Sequence, residues 1–243
     1  VRDRRPEDIL SLRVADPSVG SGAFLVEACQ YLACAYEEAL IATGACLAED
    51  LGPSERADVR RVVAERCLFG VDANPMAVQL ARLSLWLVTL AWNRPLSFLD
   101  HHIRTGDSLV GAWVSSLARP PVPVRRRSAA ATLPLYDDDD FAEAARAALP
   151  IRLSLTGPND TLAQVRAKER ALERLNRSGS LLTGWRRVAD LWCAQWFGET
   201  DAPPASAFRA LAELALRGRG DLPTRVARES LERANATAAA RRF

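Results

Sequence analysis

Lysine is almost missing from this chain. Among its 243 residues only Lys168 is one, so nearly all of its cationic charge is arginine. A phosphate-cradling P-loop needs Gly-Lys-Ser/Thr, and no Gly-rich turn here carries a lysine. Histidine is nearly as scarce, with His101 and His102 the two present. That excludes most His-based hydrolytic mechanisms, and no Gly-x-Ser-x-Gly elbow accompanies them. Neither histidine has a partner at zinc-ligand spacing, so no metal is expected. The five cysteines (29, 34, 46, 67 and 193) are odd in number and lack CxxC spacing. Buried free thiols in a reducing, cytoplasmic compartment are expected. No signal peptide appears, and no apolar run reaches the roughly 18 residues of a membrane helix. No membrane partner is expected. Met76 is the single methionine. With no initiator Met, and a strand close to its start, the chain reads as a piece of something longer. A net charge of +2 is too close to neutral to imply a nucleic-acid partner by itself.

What is present is apolar material for a core, 49% of the residues. The length suits one large domain or one and a half. Everything is arranged around Asp16-Pro17-Ser18-Val19-Gly20-Ser21-Gly22-Ala23-Phe24-Leu25. Leu12 to Ala15 before it reads as a short buried strand. Phe24, Leu25, Ala28, Leu32 and Ala35 after it recur at helical spacing, and Gly44 suits a helix stop near Thr43. The order is strand, tight turn, helix. Gly20 and Gly22 permit positive φ and close approach of a ligand to the backbone. The first helical amides have no partner within the helix and point toward the turn. A dinucleotide fingerprint wants a third glycine where Leu25 stands, so that reading is set aside.

Two further strand candidates follow. Pro53 to Arg66 predicts a helix, then Cys67 to Asp72 a buried strand. Asn74-Pro75 is a helix start, with Asn as cap and Pro at the first position. The helix after it is apolar around most of its circumference, which predicts burial on more than one side. His101 to Thr105 is the third, weaker strand. Each strand ends in or beside an acid: Asp16, Asp72 and Asp107. In an open parallel sheet ligands bind outside the carboxyl ends of the strands. Each acid alone is also suited to capping the helix after it. Together, beside the Gly turn, they make one polar rim.

After Gly111 the composition changes. Pro120 to Pro123 and Arg125 to Arg127 form a linker, with the arginines as solvated charge or as phosphate contacts. The rest reads as helical. Asp137 to Asp140 favour a helix start by their charge. Asn159-Asp160-Thr161 predicts the cap of a helix reaching Asn176. A helix from Gly184 to Gly198 carries Val188, Leu191, Trp192, Cys193, Trp196 and Phe197, suited to core packing or to base stacking. Pro203-Pro204 breaks the pattern, and helices follow near 206–216 and 223–239.

Three stretches in this order resemble S-adenosylmethionine-dependent DNA methyltransferases of the adenine-N6 class. They are Asp16-Pro17-x-x-Gly20-Ser21-Gly22-x-Phe24, then Gly70-Val71-Asp72-Ala73-Asn74-Pro75, then Arg104-Thr105-Gly106-Asp107-Ser108-Leu109. The likeness is greatest to the large enzymes of type IIG restriction-modification and phage-exclusion systems. It implies an α/β fold: a partial Rossmann-like methyltransferase domain with a parallel sheet of strand order 3-2-1, followed by a mainly α-helical insertion. The implied divisions are 1–118 for the cofactor-binding part, 119–136 for the linker and 137–243 for the insertion. By the resemblance, Asp16, Pro17 and the Gly20-Ser21-Gly22 turn, with Phe24 completing the motif, hold the methionine portion of S-adenosylmethionine. Asp72 accepts from the ribose hydroxyls, because a carboxylate takes two donors at once. Asp107 accepts from the adenine amine, with Ala73 and Leu109 against the ring.

The chain departs from the family in one place. The catalytic Asn/Asp/Ser-Pro-Pro-aromatic motif, which holds the target amine of a flipped adenine, is missing. Pro120-Pro121 and Pro203-Pro204 have the wrong flanks. The resemblance therefore implies that the intact protein methylates adenine N6 in DNA, while this chain alone supplies the cofactor site and is inactive. The alternative is a non-catalytic S-adenosylmethionine-binding or DNA-binding scaffold, and a downstream Asn-Pro-Pro-aromatic decides between them. Methylation of RNA or protein fits the first motif less well.

Overall fold

The computed structural model describes residues 4–89, 99–117, 119–121, 138–155, 161–177, 180–197, 205–218 and 223–241. The chain divides into two compact units: Val1–Ser108 with Leu153–Leu172, and Leu109–Arg152 with Glu173–Phe243. Most of the expected 119–136 linker lies outside the described residues, as do Pro203 and Pro204.

In the first unit the elements run α1 (Pro6–Leu10), β1 (Val14–Asp16), α2 (Ala23–Ala42), a 3-10 turn (Ala48–Asp50), α3 (Pro53–Cys67), β2 (Leu68–Asp72), α4 (Pro75–Val88) and β3 (Ile103–Thr105). The three strands form one parallel sheet with β2 in the middle. Val14 pairs with Leu68 and Asp16 with Gly70 on one side; Gly70 pairs with Ile103 and Asp72 with Thr105 on the other. Parallel strands need a crossover between them, and α2 with α3, then α4, supply these. The core of this unit gathers Ile9, Leu25, Cys29, Val63, Leu68, Val78, Leu85 and Ile103, all at or near zero exposure.

Gly70 shows how tightly the central strand is covered. A Cβ there would meet Val19 Cγ2 at 2.9 Å and Leu25 Cδ1 at 3.1 Å, so the turn and the start of α2 rest directly on β2. Arginines tie the layers together. Arg60 Nε donates to the Val88 carbonyl at 2.8 Å, and Arg61 Nη2 to that of Thr89 at 3.4 Å. Both satisfy carbonyls at the C-terminal end of α4, where no intrahelical donor is left. His102 is buried, and its Nδ1 lies 2.7 Å from the Leu68 carbonyl. A carbonyl only accepts, so Nδ1 carries the proton. The ring stacks on Phe69 with centroids 4.5 Å apart. Burial, the largest cause, holds its pKa below 6.5.

Two sequence expectations are corrected here. The helix read as buried on more than one side, α4, buries Val78, Ala81 and Leu85 but leaves Met76, Leu80, Leu83 and Leu87 exposed at 65, 49, 51 and 57%. Apolar composition measures what a helix can bury, and one sheet face has room for only one side of it. The thiols are not all buried either. Cys29, Cys67 and Cys193 are, whereas Cys34 is exposed and Cys46 intermediate. Burial pushes the Cys29 thiol up to about 12, against a lowering influence of Arg60, which makes it inert packing.

The second unit holds α5 (Val114–Leu117), most of α6 (Asp138–Ser154), the end of α7 (Leu162–Asn176), α8 (Leu181–Phe197), α9 (Ala205–Arg217) and α10 (Thr224–Arg241). Its core is built on Val188 and Leu191 of α8, Phe208, Leu211 and Ala212 of α9, and Ala227 of α10. At the start of α7, which belongs to the first unit, Thr161 and Gln164 form a reciprocal cap at 2.9 and 3.2 Å. The predicted partners Asn159 and Asp160 lie outside the described residues. The predicted start of α8 at Gly184 is three residues late. Gly184 sits inside the helix, where a Cβ would come 3.0 Å from the Ala215 carbonyl of α9. The glycine marks a close helix crossing rather than a boundary. Trp192 donates to the Arg119 carbonyl at 3.2 Å and packs with the core, while Trp196 is half exposed.

Candidate functional site

The turn between β1 and α2 is fixed from several sides. Asp16 closes it on itself, its Oδ1 accepting from Ser18 N at 2.9 Å. Val19 N donates to the Val71 carbonyl at 3.0 Å, which fastens the turn to the end of β2. Gly20 N donates to Asp72 Oδ2 at 2.9 Å, across 52 residues of sequence. Gly22 N donates to the Val19 carbonyl at 2.8 Å. Gly20 and Gly22 have φ of +53° and +87°, in the left-handed region that a side chain penalises.

The two glycines are needed for different reasons. A Cβ on Gly20 would meet nothing within 4 Å, so open space lies over the turn at that point. A Cβ on Gly22 would stand 2.9 Å from Ala81 Cα, so there the glycine admits the backbone of α4. Gly22 is also the N-cap of α2 and offers no capping side chain. Val26 N already bonds to the Gly22 carbonyl. The amides of Ala23, Phe24 and Leu25 are the helix's first donors and have no partner within it.

Asp72 is the polar centre. Its Oδ1 accepts from Asn74 N at 2.8 Å and its Oδ2 from Gly20 N at 2.9 Å. These two amides, Asn74 first, hold its carboxyl below the ordinary 3.8. Each carboxylate oxygen keeps a further lone pair for a ligand hydroxyl. Asn74 in turn caps α4, its Oδ1 accepting from Met76 N at 3.0 Å. Gly106 N donates to the Asp72 carbonyl at 2.9 Å, which brings the segment leading to Asp107 beside the same strand end.

Of the residues singled out in the sequence, Asp16, Pro17, Gly20, Ser21, Gly22, Asp72 and Ala73 therefore lie at the carboxyl ends of β1 and β2, and Asp107 follows β3. Phe24 is exposed on the first turn of α2. Leu109 begins the second unit and is 92% exposed. Sequence reasoning gave no role to Ala81 and Ser84, which lie in the stretch that continues the second motif. Ser84 Oγ donates to the Ser21 carbonyl at 2.9 Å. The signal for them was there: Ala77, Ala81 and Ser84 put small side chains four and three residues apart on one face of an otherwise bulky helix. Among the described residues no group of three or more His, Cys, Asp or Glu is arranged to hold a metal ion. Among them, too, no helix is long and apolar enough to cross a membrane. No protein-family model, curated protein or solved structure matches the chain.

Proposed function

We propose that the first unit is the cofactor-binding part of a Rossmann-like methyltransferase core, strand order 3-2-1. In this reading it binds S-adenosylmethionine for methylation of adenine N6 in DNA by the intact protein. The observation that carries the reading is the bond from Gly20 N to Asp72. It joins the first and second motifs at adjacent strand ends, where an open parallel sheet receives ligands.

The residues present fit that cofactor. The space over Gly20 admits a ligand against the backbone. Asp72 has acceptor capacity left for a pair of hydroxyls. Carboxylates follow all three strands, and like-charge repulsion makes such a rim unfavourable for the pyrophosphate of a dinucleotide or the phosphates of a nucleoside triphosphate. A sulfonium and an α-ammonium suit it. When bound, the cofactor supplies an activated methyl group on a positively charged sulfur. The protein's contribution is placement. The turn and the first amides of α2 receive the carboxylate of the methionine portion. Asp16 faces its ammonium, Asp72 orients the ribose, and Asp107 accepts from the adenine amine, with Ala73 against the ring.

The test is calorimetric titration of the 243-residue chain with S-adenosylmethionine, S-adenosylhomocysteine, ATP and NAD. Saturable binding of the first two, with ATP and NAD unable to compete, is expected. No binding of either sulfur nucleoside, or equal competition by ATP, overturns the reading.

A further inference from the structure

We infer that Ser84 is a positioning residue for the ligand-binding turn. The inference rests on the cofactor reading for its consequence, and on the geometry of α4 for its substance. The peptide joining Ser21 to Gly22 leads into the N-cap of α2. Its two polar groups are held from opposite sides. The Gly22 N–H bonds to the Val19 carbonyl at 2.8 Å, and the Ser21 carbonyl accepts from Ser84 Oγ at 2.9 Å. The first of these bonds is local to the turn; the second comes from another helix, 63 residues on.

A peptide plane held at both ends cannot rotate, and its orientation fixes where the chain enters α2. The direction of the Ala23 and Phe24 amides follows from it. Without the Ser84 bond only the Gly22 N–H holds that plane, and a glycine at N-cap with no capping side chain lets it tilt, because glycine tolerates most φ values. The contact of α4 at Ala81 sets the distance and Ser84, one turn later, sets the orientation. The turn is thus organised before a ligand arrives, and binding does not bear the entropy of ordering it. The hydroxyl is what matters, so threonine is expected to replace it and alanine is not.

The experiment compares the parent chain with Ser84→Ala and Ser84→Thr. Three quantities are measured: melting temperature, amide hydrogen exchange over residues 20–25, and affinity for S-adenosylmethionine. For Ser84→Ala we expect faster exchange at Gly22, affinity lower by about 3- to 10-fold, as for one hydrogen bond, and nearly unchanged melting. Ser84→Thr is expected to restore both exchange and affinity. Unchanged exchange in Ser84→Ala overturns the inference. So does an equal loss in both variants, since that is the mark of packing alone. If the parent binds no cofactor while Ser84→Ala still loosens Gly22, the positioning role stands and the cofactor reading falls.

Discussion

Asp72 concentrates more of the proposed site than any other residue. One carboxylate receives the amides of Asn74 and Gly20, so it closes its own loop and clasps the neighbouring turn. Asp72→Ala is expected to weaken S-adenosylmethionine binding by about 1–3 kcal/mol, the range for a hydrogen bond to a charged group. Calorimetry on the variant checks it, and undiminished affinity removes the ribose role. The two glycines of the turn separate conformation from space. Gly20→Ala meets open space and carries only the left-handed backbone cost, about 1–2 kcal/mol. Gly22→Ala adds a 2.9 Å clash with Ala81 Cα, a backbone atom that cannot swing aside. Denaturant unfolding is expected to rank Gly22→Ala as the more damaging by about 1–3 kcal/mol, the cost of overpacking.

Helix α8 carries a prediction of its own. Asp190 lies partly buried on it, and burial pushes its carboxyl up to about 6, against the lowering influence of Arg186. The sign follows from proton uptake. Between 3.8 and about 6 the folded state holds a proton that the unfolded state has released. Stability therefore falls as pH rises through that window, and the deficit is complete above it. Asp190→Asn is expected to melt higher than the parent at pH 8, by about 1–2 kcal/mol after allowance for solvent screening. The gain is expected to vanish near the unfolded carboxyl value of 3.8. Melting curves across pH check both halves; a gain that persists in acid assigns the effect to packing instead. The elements themselves were largely legible. Asn74-Pro75 announced the start of α4, and Asn74 does cap it. Gly184 was misread as a helix start because a glycine required by a neighbour's backbone looks the same in sequence as one at a helix boundary.

For the whole molecule, acid relieves the buried Asp190 but works against His102 and Asp72. His102 is held neutral by burial, so its contribution is complete above 6.5 and is lost as pH falls through its lowered folded value. The Asp72 clasp is complete above 3.8 and is lost as pH falls through its own lowered value. His102→Phe is expected to flatten the stability profile between pH 6.5 and the onset of acid unfolding, measured by urea midpoints. An unaltered slope removes His102 as its source. The second whole-molecule prediction concerns transfer. The sequence contains no Asn/Asp/Ser-Pro-Pro-aromatic. The 243-residue chain is therefore expected to bind S-adenosylmethionine yet leave tritiated methyl incorporation into DNA at background. Incorporation above background would place a target-base site among residues not recognised as one.

The sequence by itself determined what depends on neighbours along the chain. Strand, glycine turn and helix follow one another because side-chain period and backbone freedom are local properties. The acids after each strand were visible for the same reason. Tertiary structure decided what depends on approach between distant segments. It joined Gly20 to Asp72, seated Gly22 on Ala81, brought Ser84 to Ser21 and left one apolar face of α4 exposed. Spacing marks a face of small residues, as at Ala77, Ala81 and Ser84, but not its partner, because each contact rests on which faces of two separately formed elements meet. A hydrogen bond across 52 or 63 residues leaves no local pattern to read.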